Sequence, residues 1–268
     1  MSAASGLFVL VGMEIKRKIF MKISILVPTY NESGNIGLLL ESLKKVSDRF
    51  GDVNFNVVVL DDSSPDGTAS IGRAIGQKLK SDNYSVTVLV REKKEGLGRA
   101  YIFGFKEMMN LEDVPDYILQ MDADLSHNPE YIDQFIHAAR DGADFVTATR
   151  YIHGGATPDW SWYRKMLSRG GNFYAKSILG RELTDYTGGF NMYHTKLLAQ
   201  IDFDSLYSAG YGFLIDLKHR AAVKSRKITQ VPIVFHDRQH GNSKMPARTI
   251  VDSLFLVLKI RFAKNDRR

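Results

Sequence analysis

ISILVPT, at residues 23–29, is the stretch of this 268-residue chain that decides its fold. It is a mostly apolar run, and it ends immediately before the polar residues Tyr30, Asn31 and Glu32. A short run in which apolar and polar residues do not alternate is typical of a strand buried on both faces of a parallel sheet. We therefore expect a central parallel strand here, with polar residues at its carboxyl end.

Working outward from this strand, strands and helices alternate at short spacing as far as residue 150. Such alternation predicts an α/β fold, in which a Rossmann-like, mostly parallel sheet is flanked by helices and joined by right-handed crossovers. Beyond residue 150 the alternation weakens. The other predicted strands are 56–60, 85–90, 117–121, 144–149, 187–193 and 228–235, and the predicted helices are 38–46, 68–79, 98–110, 129–139 and 212–223.

The bulk composition limits the class of protein. The absence of cysteine excludes disulfides and thiolate metal sites. A net charge of +6 indicates anionic partners, such as phosphorylated substrates or anionic lipid, or else a solvated basic surface. No run reaches the roughly 18 apolar residues of a membrane span. We expect an N-terminal extension at 1–21, one globular domain at 22–245 and an amphipathic basic helix at 246–268.

Polar clusters follow the predicted strands at the points where those strands end. Asp61 and Asp62 follow the second strand, Asp122 and Asp124 follow the fourth, and Arg150 follows the fifth. Because ligands of open α/β sheets bind outside the carboxyl ends of the strands, these clusters predict a binding site along that edge of the sheet.

The acidic pairs each allow two interpretations. Asp122 and Asp124 can converge where the chain bends after a strand, and their hard oxygens suit Mg²⁺ or Mn²⁺ together with substrate phosphates. Alternatively, Asp124 is the cap of the next helix. Asp61 and Asp62 can accept hydrogen bonds from the base and ribose of a nucleotide. They can also form an Asx turn before Pro65, and both interpretations of this segment can hold together.

Eight segments resemble, in order, the dolichol-phosphate (polyprenol-phosphate) mannosyltransferases, which are inverting GT-A-fold enzymes of glycosyltransferase family 2. Each motif alone is short, and the ordered set across residues 22–245 carries the resemblance. The segments are VPTYNE at 27–32, LDDSSPDGT at 60–68, REKKEGLG at 91–98, MDADLSH at 121–127, TRY at 149–151, SRG at 168–170, TGGF at 187–190, and DR at 237–238 with Lys244.

The resemblance implies a GT-A fold and the transfer of mannose from GDP-mannose to dolichyl or polyprenyl phosphate, with inversion to a β-linked product. It also implies Mg²⁺ or Mn²⁺, a cytoplasmic protein peripheral on the cytosolic face of a membrane, and membrane-anchoring subunits as candidate partners. A phosphate monoester has a second pKa of about 6, so the acceptor is already a nucleophilic dianion at pH 7 and needs no general base.

The resemblance also assigns residues to roles in catalysis and binding. Asp124 and Arg150 are the catalytic candidates, and Asp122, Asp124 and Ser126 would hold the metal. The acceptor phosphate would meet Arg150, Arg164 and Ser168. The nucleotide-sugar would bind Pro28, Tyr30, Glu32, Val59, Asp61, Asp62, Asp122, Ala123, Arg238 and Lys244. We expect structural or supporting roles for His127, His236 and His240.

Two segments have the composition of lipid-contacting helices. Residues 160–176 mix aromatic and basic residues, and we expect an interfacial helix there. Residues 250–262 repeat apolar residues at helical spacing among bases, which fits core packing or membrane docking equally well.

Three alternatives define the functional question. One is a related transferase that uses UDP-glucose or another nucleotide-sugar with a polyprenyl phosphate acceptor. Another is a catalytically silent nucleotide-binding subunit, although the intact acidic and cationic set argues against silence. A nucleic-acid-binding protein would carry its bases as one stripe, whereas here they occur at strand ends among carboxylates, so we expect no nucleic-acid partner.

Overall fold

The computed structural model describes residues 21–180, 182–207, 210–236 and 247–262, and the expected extension at 1–20 lies outside them. Within these ranges the chain forms a sheet with helices packed on it. The strands are β1 Met21–Thr29, β2 Val53–Asp61, β3 Tyr84–Val90, β4 Tyr117–Gln120, β5 Phe145–Thr149, β6 Asn191–His194 and β7 Ile228–Pro232. The helices are α1 Ile36–Ser47, α2 Thr68–Leu79, α3 Leu97–Met109, α4 Ile132–Arg140, α5 Trp162–Leu179, α6 Thr195–Leu198, α7 Gly210–Lys224 and α8 Ala247–Phe262.

The strands form a seven-stranded sheet in the order β3-β2-β1-β4-β6-β5-β7. All neighbouring pairs are parallel except those of β6, which runs antiparallel to both β4 and β5. The predicted mostly parallel α/β sheet is therefore confirmed. The central position of β1 follows from its sequence, because only a largely apolar strand can be buried on both faces.

Helices cover both faces of the sheet. On one face α1, α2 and α4 pack against inward residues such as Ile25 and Val57. On the other face α3, α5, α7 and α8 pack against residues such as Leu26 and Val58. This arrangement covers the faces and leaves the carboxyl ends of β1, β2 and β4 as one accessible edge, which we call the rim.

Near the rim, two predicted elements begin later than expected, and the strand predicted at 228–235 ends at Pro232. The strand predicted at 187–193 begins only at Asn191, because the backbone of Thr187 and Gly188 instead donates hydrogen bonds to the side chain of Asp185. The helix predicted at 129–139 opens with a 3₁₀ turn that is capped by Asn128, so Asp124 is not the helix cap.

The helix bounds bear on the lipid-contact predictions. Helix α5 begins at Trp162 with Ser161 as its cap, so Trp160 precedes the helix and is buried instead of facing solvent. Helix α8 buries Val257 and Ile260 in the core, and it also leaves apolar side chains exposed. None of the helices in the described part of the chain has the length and apolar character needed to cross a bilayer.

Candidate active site at the carboxyl ends of the strands

The backbone is strained where three parallel strands end. Asn31, Ser63 and Leu125 follow β1, β2 and β4, and they are the non-glycine residues with positive φ in the described ranges, at 60°, 54° and 63°. Non-glycine residues avoid this region because of their Cβ, at a cost on the order of 1–3 kcal/mol each, and such residues cluster at functional sites. All three lie along the rim.

Asp61 ties the loops after β1 and β2 together. One of its carboxylate oxygens accepts hydrogen bonds from Thr29 Oγ1 at 2.9 Å and Ser64 Oγ at 2.6 Å. The other accepts from the Ser64 backbone N–H at 2.9 Å. The Asx-turn interpretation is therefore correct for Asp61, which is buried. A nucleotide contact by the same residue stays a prediction.

Asp62, next to Asp61 in the chain, belongs to an ion-pair cluster around Arg91. Arg91 Nη1 donates to Asp62 at 2.6 Å, and Arg91 Nη2 donates to Glu95 at 3.0 Å. Burial raises the pKa of Asp62, and the neighbouring Arg91 opposes that rise. Beside this cluster, the ammonium of Lys94 lies 3.8 Å from the centre of the exposed Tyr30 ring. The rim here presents an aromatic ring with one lysine ammonium against it.

The other predicted nucleotide contacts divide by exposure. Pro28 and Glu32 are partly accessible at the start of the loop after β1, and the Glu32 carboxylate accepts from Asn35 at 2.7 Å. Val59 is fully buried in the core under α1 and α2, so its side chain does not line the rim. Ala123 is also buried in that core. Arg238 and Lys244, with His240, lie outside the described residues.

Asp122 and Asp124 follow β4 as the sequence predicts. Asp124 is buried, and one of its oxygens accepts from the backbone N–H and the hydroxyl of Ser126, at 3.1 and 2.6 Å. Asp122 is partly exposed, and its backbone N–H donates to His127 Nδ1 at 3.0 Å. Leu125, with its positive φ, makes the bend between Asp124 and Ser126.

These residues fit a divalent cation that also binds substrate. Two carboxylates and a hydroxyl are hard oxygen ligands, which Mg²⁺ and Mn²⁺ prefer. In the described ranges no three acidic or histidine side chains form a closed metal cage. Mg²⁺ commonly has one or two carboxylates and completes its shell with phosphate oxygens and water, so this open donor set suits a metal–diphosphate complex.

Gly189 leaves space directly beside this acidic pair. A Cβ at that position would lie 3.8 Å from an Asp122 carboxylate oxygen and 3.5 Å from His127 Cε1. His127 is buried, and its ring stacks on Phe190 with 5.1 Å between centroids. His127 Nδ1 accepts the hydrogen bond from the Asp122 backbone, which holds the ring beside the acidic pair. The geometry gives His127 a supporting role.

Arg150 forms a two-point ion pair with Asp185. Arg150 Nε and Nη2 donate to the two Asp185 oxygens at 2.7 and 2.8 Å, and Nη2 also donates to Thr187 Oγ1 at 2.8 Å. Both side chains are buried. Burial alone would raise the pKa of Asp185, but the Arg150 guanidinium and further hydrogen bonds hold it well below its ordinary value.

The other predicted acceptor residues lie on α5, next to Arg150. Ser168 Oγ is 2.6 Å from the Tyr151 hydroxyl. The Arg164 guanidinium lies 4.0 Å from the centre of the Trp160 ring, and the Arg150 guanidinium lies 5.2 Å from the same centre. Trp160 therefore brings the two arginines to one place, as a cation–π platform.

Sequence reasoning missed Asp185 and Lys218. Asp185 stands two residues before the TGGF motif, and this closeness was the available signal. Lys218 lies in the middle of α7, has no exposed surface, and donates to the Gly188 carbonyl at 3.3 Å. Nothing in its spacing distinguishes it from the exposed lysines of other helices, so its burial could not be predicted from the sequence.

Comparison with known proteins places the chain in a family. The model of the family described as Glycosyl transferase family 2 matches residues 24–202. An undecaprenyl-phosphate mannosyltransferase of Micrococcus luteus is 37% identical over 239 residues, which cover 89% of this chain and 93% of that protein. A polyprenol monophosphomannose synthase of Mycolicibacterium smegmatis is 35% identical over 233 residues, which cover 87% of this chain and 84% of that protein.

A solved structure agrees with the fold. Glucosyl-3-phosphoglycerate synthase from Mycobacterium tuberculosis, in complex with Mn²⁺, UDP-glucose and phosphoglyceric acid, has a TM-score of 0.62 at 20% sequence identity. The match covers 90% of this chain and 78% of that chain. At this identity the likeness concerns the fold alone, and the sequence matches establish the family. The chain belongs to glycosyl transferase family 2.

Proposed function

We propose that this protein is an inverting glycosyltransferase that moves mannose from GDP-mannose to the phosphate of a dolichyl or other polyprenyl lipid. The observation that carries the proposal is the near full-length similarity to two proteins named for mannose transfer to such lipid phosphates. The rim supports it independently, because an acidic pair suited to a metal lies on the same edge of the sheet as a group of buried and stacked arginines.

The chemistry of the acceptor explains which groups the site contains. A phosphate monoester is a dianion above a pKa of about 6, so it can attack the sugar carbon without a protein base. The protein must instead hold two anionic substrates together and stabilise the leaving diphosphate. Arg150, Arg164 and Ser168 are our candidates for the acceptor phosphate.

Asp122 and Asp124 would hold Mg²⁺ or Mn²⁺, with Ser126 at Asp124. When bound, the cation supplies charge to the diphosphate that leaves. The nucleotide would bind at the other end of the rim, against the Tyr30 ring and the loops that Asp61 joins. The proposed donor contacts are Pro28, Tyr30, Glu32, Asp61, Asp62 and Asp122, together with Val59 and Ala123 through their backbone, and Arg238 and Lys244 from beyond the described residues.

The proposed acceptor is a lipid, and one surface of the protein suits a membrane. Along α5 the apolar residues Trp162, Met166 and Phe173 recur at spacings of four and seven, and Trp162 and Phe173 are 75% and 73% exposed. Helix α8 lies beside α5, where Tyr174 donates to the Leu254 carbonyl at 3.0 Å, and adds exposed Phe255. We call this aromatic surface of α5 and α8, with its neighbouring bases, the docking face.

Aromatic residues flanked by lysine and arginine are typical of interfacial helices that lie on anionic bilayers. The docking face supports a peripheral protein on the cytosolic face of a membrane, and membrane-anchoring subunits are an alternative occupant of it. Helix α5 also carries Arg164 and Ser168. The proposed acceptor site is thus attached directly to the proposed lipid contact.

A transfer assay tests the proposal. The purified protein is incubated with radiolabelled GDP-mannose or UDP-glucose, Mg²⁺ or Mn²⁺, and a polyprenyl phosphate in detergent, and label is counted in the organic phase. We expect transfer from GDP-mannose, dependence on both the metal and the lipid phosphate, and a β-linked product by NMR. Transfer only from UDP-glucose would show that the donor is UDP-glucose and not GDP-mannose. An α-linked product would contradict inversion.

A further inference from the structure

The side chain of Lys218 is a buried cation next to the proposed acceptor site. It has no exposed surface, and its ammonium donates to the Gly188 carbonyl at 3.3 Å. The same carbonyl accepts from Asn191 Nδ2 at 3.1 Å, while the Gly188 backbone N–H donates to Asp185. Asn191 alone therefore satisfies that carbonyl. Burying a lysine ammonium costs free energy, and a second hydrogen bond to a carbonyl that Asn191 already satisfies does not offset that cost.

Three buried charged groups lie together around Lys218. Arg150 and Lys218 are buried cations, and Asp185 is a buried acid that interacts with both of them. With all three ionised, the group has a net charge of +1. A buried surplus charge is unfavourable in the empty protein, and it becomes favourable when an anion binds beside it.

We propose that Lys218 is a positioning residue that balances Asp185, so that the Arg150–Asp185 pair offers surplus positive charge to the acceptor phosphate. Without Lys218, the Arg150–Asp185 pair would be neutral, and a neutral pair attracts a dianion weakly. Lys218 need not touch the lipid, because the charge acts through the pair. This inference rests on the proposed function.

The charged and titratable neighbours of Lys218 define how pH should act. Burial lowers the pKa of Lys218 to about 8, and Asp185 opposes this change. On its own helix, Asp216 and Arg220 form a separate buried pair. Among the described groups on the other elements packed against α7, Tyr101 on α3 and Tyr193 on β6 have phenol pKa values that burial raises well above the ordinary value. Lys196 on α6 and Lys259 and Arg261 on α8 are exposed.

The test separates the lipid acceptor from the sugar donor. Lys218→Met keeps the volume and removes the charge, and Lys224→Met removes the same charge from the end of the same helix as a control. Rates are measured with a short-chain polyprenyl phosphate in detergent, which makes membrane binding irrelevant. A unit charge about 10 Å from a dianion, at an effective dielectric constant of about 20, changes binding by at least about tenfold. We expect Lys218→Met to raise the acceptor KM by at least that factor, with the donor KM within about twofold of wild type.

A pH series gives a readout that a purely structural lysine would not move. Between pH 7 and pH 9 the acceptor phosphate remains a dianion, whereas Lys218 loses its proton. The acceptor KM of the wild type should therefore rise through about pH 8, while that of Lys218→Met, already high, should stay nearly constant. The pH profile of the wild type tests the inference even if Lys218→Met folds poorly. Lys218→Gln provides a second variant for the comparison.

Several outcomes would overturn the inference. These are a loss of kcat with both KM values unchanged, a rise in donor KM instead of acceptor KM, the same effect in Lys224→Met, or an acceptor KM of the wild type that does not change with pH. If the wild type transfers no sugar to any polyprenyl phosphate, the proposed function fails and this inference fails with it. If the wild type transfers normally and the acceptor KM is insensitive to Lys218, only the inference fails.

Discussion

Asp185→Asn is a substitution whose cost can be worked out from the structure. The wild-type carboxylate is 1% exposed and accepts from Arg150 Nε and Nη2 and from the backbone N–H groups of Thr187 and Gly188. Asparagine keeps the shape and removes the charge. It also turns one acceptor into an NH₂ donor, which must face another donor, because both carboxylate oxygens accept hydrogen bonds.

The expected loss of stability is large. Breaking a buried ion pair by removing one partner costs about 3–5 kcal/mol, because the other charge remains buried. For a domain of this size, that loss corresponds to a fall in Tm of roughly 6–20 °C. Asp204→Asn is the control, since Asp204 pairs with Lys106 at an exposed site where such pairs contribute about 0–1 kcal/mol.

The assay is urea unfolding followed by circular dichroism, for Asp185→Asn, Arg150→Met and the double variant. The double variant should be more stable than the sum of the single losses predicts, with a coupling free energy of at least about 2 kcal/mol. The pair explanation would be refuted if the two losses added, or if Asp185→Asn cost no more than Asp204→Asn.

The difference in unfolding free energy between wild type and Asp185→Asn should depend on pH in a defined direction. The folded-state pKa of Asp185 lies well below its ordinary value. A depressed carboxyl pKa contributes stability above the unfolded pKa of about 3.9 and loses it as the pH falls toward the folded pKa. The gap in unfolding free energy between wild type and Asp185→Asn should therefore be constant near neutral pH and narrow in strong acid.

Three further predictions concern activity. Asp124→Asn should keep the fold and lower the transfer rate by orders of magnitude, because charge at the leaving diphosphate is lost; near-normal activity in chelated buffer would contradict the metal role. With saturating metal, the rate should rise with pH through about 6, the acceptor's own pKa, and then level off until Lys218 titrates; a lower limb that moved in His127→Gln would implicate a protein base. Trp162→Ser with Phe173→Ser should reduce binding to anionic vesicles and leave the rate in detergent unchanged, because these exposed side chains lie on the docking face; a lost rate in detergent would place them in the acceptor site.

The sheet and its rim could be predicted from the sequence because local patterns determine them. The run at 23–29 reads as a buried strand, and the acidic pairs at 61–62 and 122–124 follow strands directly. The observed strands β1 and β2 extend the predicted ones by only a few residues at their ends. Such agreement is expected where hydrophobic pattern and turn residues indicate the same structure.

The rest of the site depends on contacts between residues that are distant in the chain. Arg150 and Asp185 are 35 residues apart, and Lys218 reaches Gly188 from a position 30 residues later. Spacing along a helix shows which face a residue shares, but not whether that face is buried against another charge. The pattern predicted Arg150 at the rim, and only the fold gave it Asp185 as a partner.

Helix α5 unites the two halves of the proposed reaction. Its inner face places Ser168 beside Tyr151, and Asn172 donates to Thr187 at 3.2 Å, in the loop that also contacts Arg150. Its outer face carries Trp162 and Phe173. A polyprenyl phosphate has the same division, with an apolar chain and a dianionic end. On the proposed function, the outer face of α5 would lie on the membrane while its inner face borders the arginines, so the helix would present the phosphate to the sugar while the polyprenyl chain stays in the lipid.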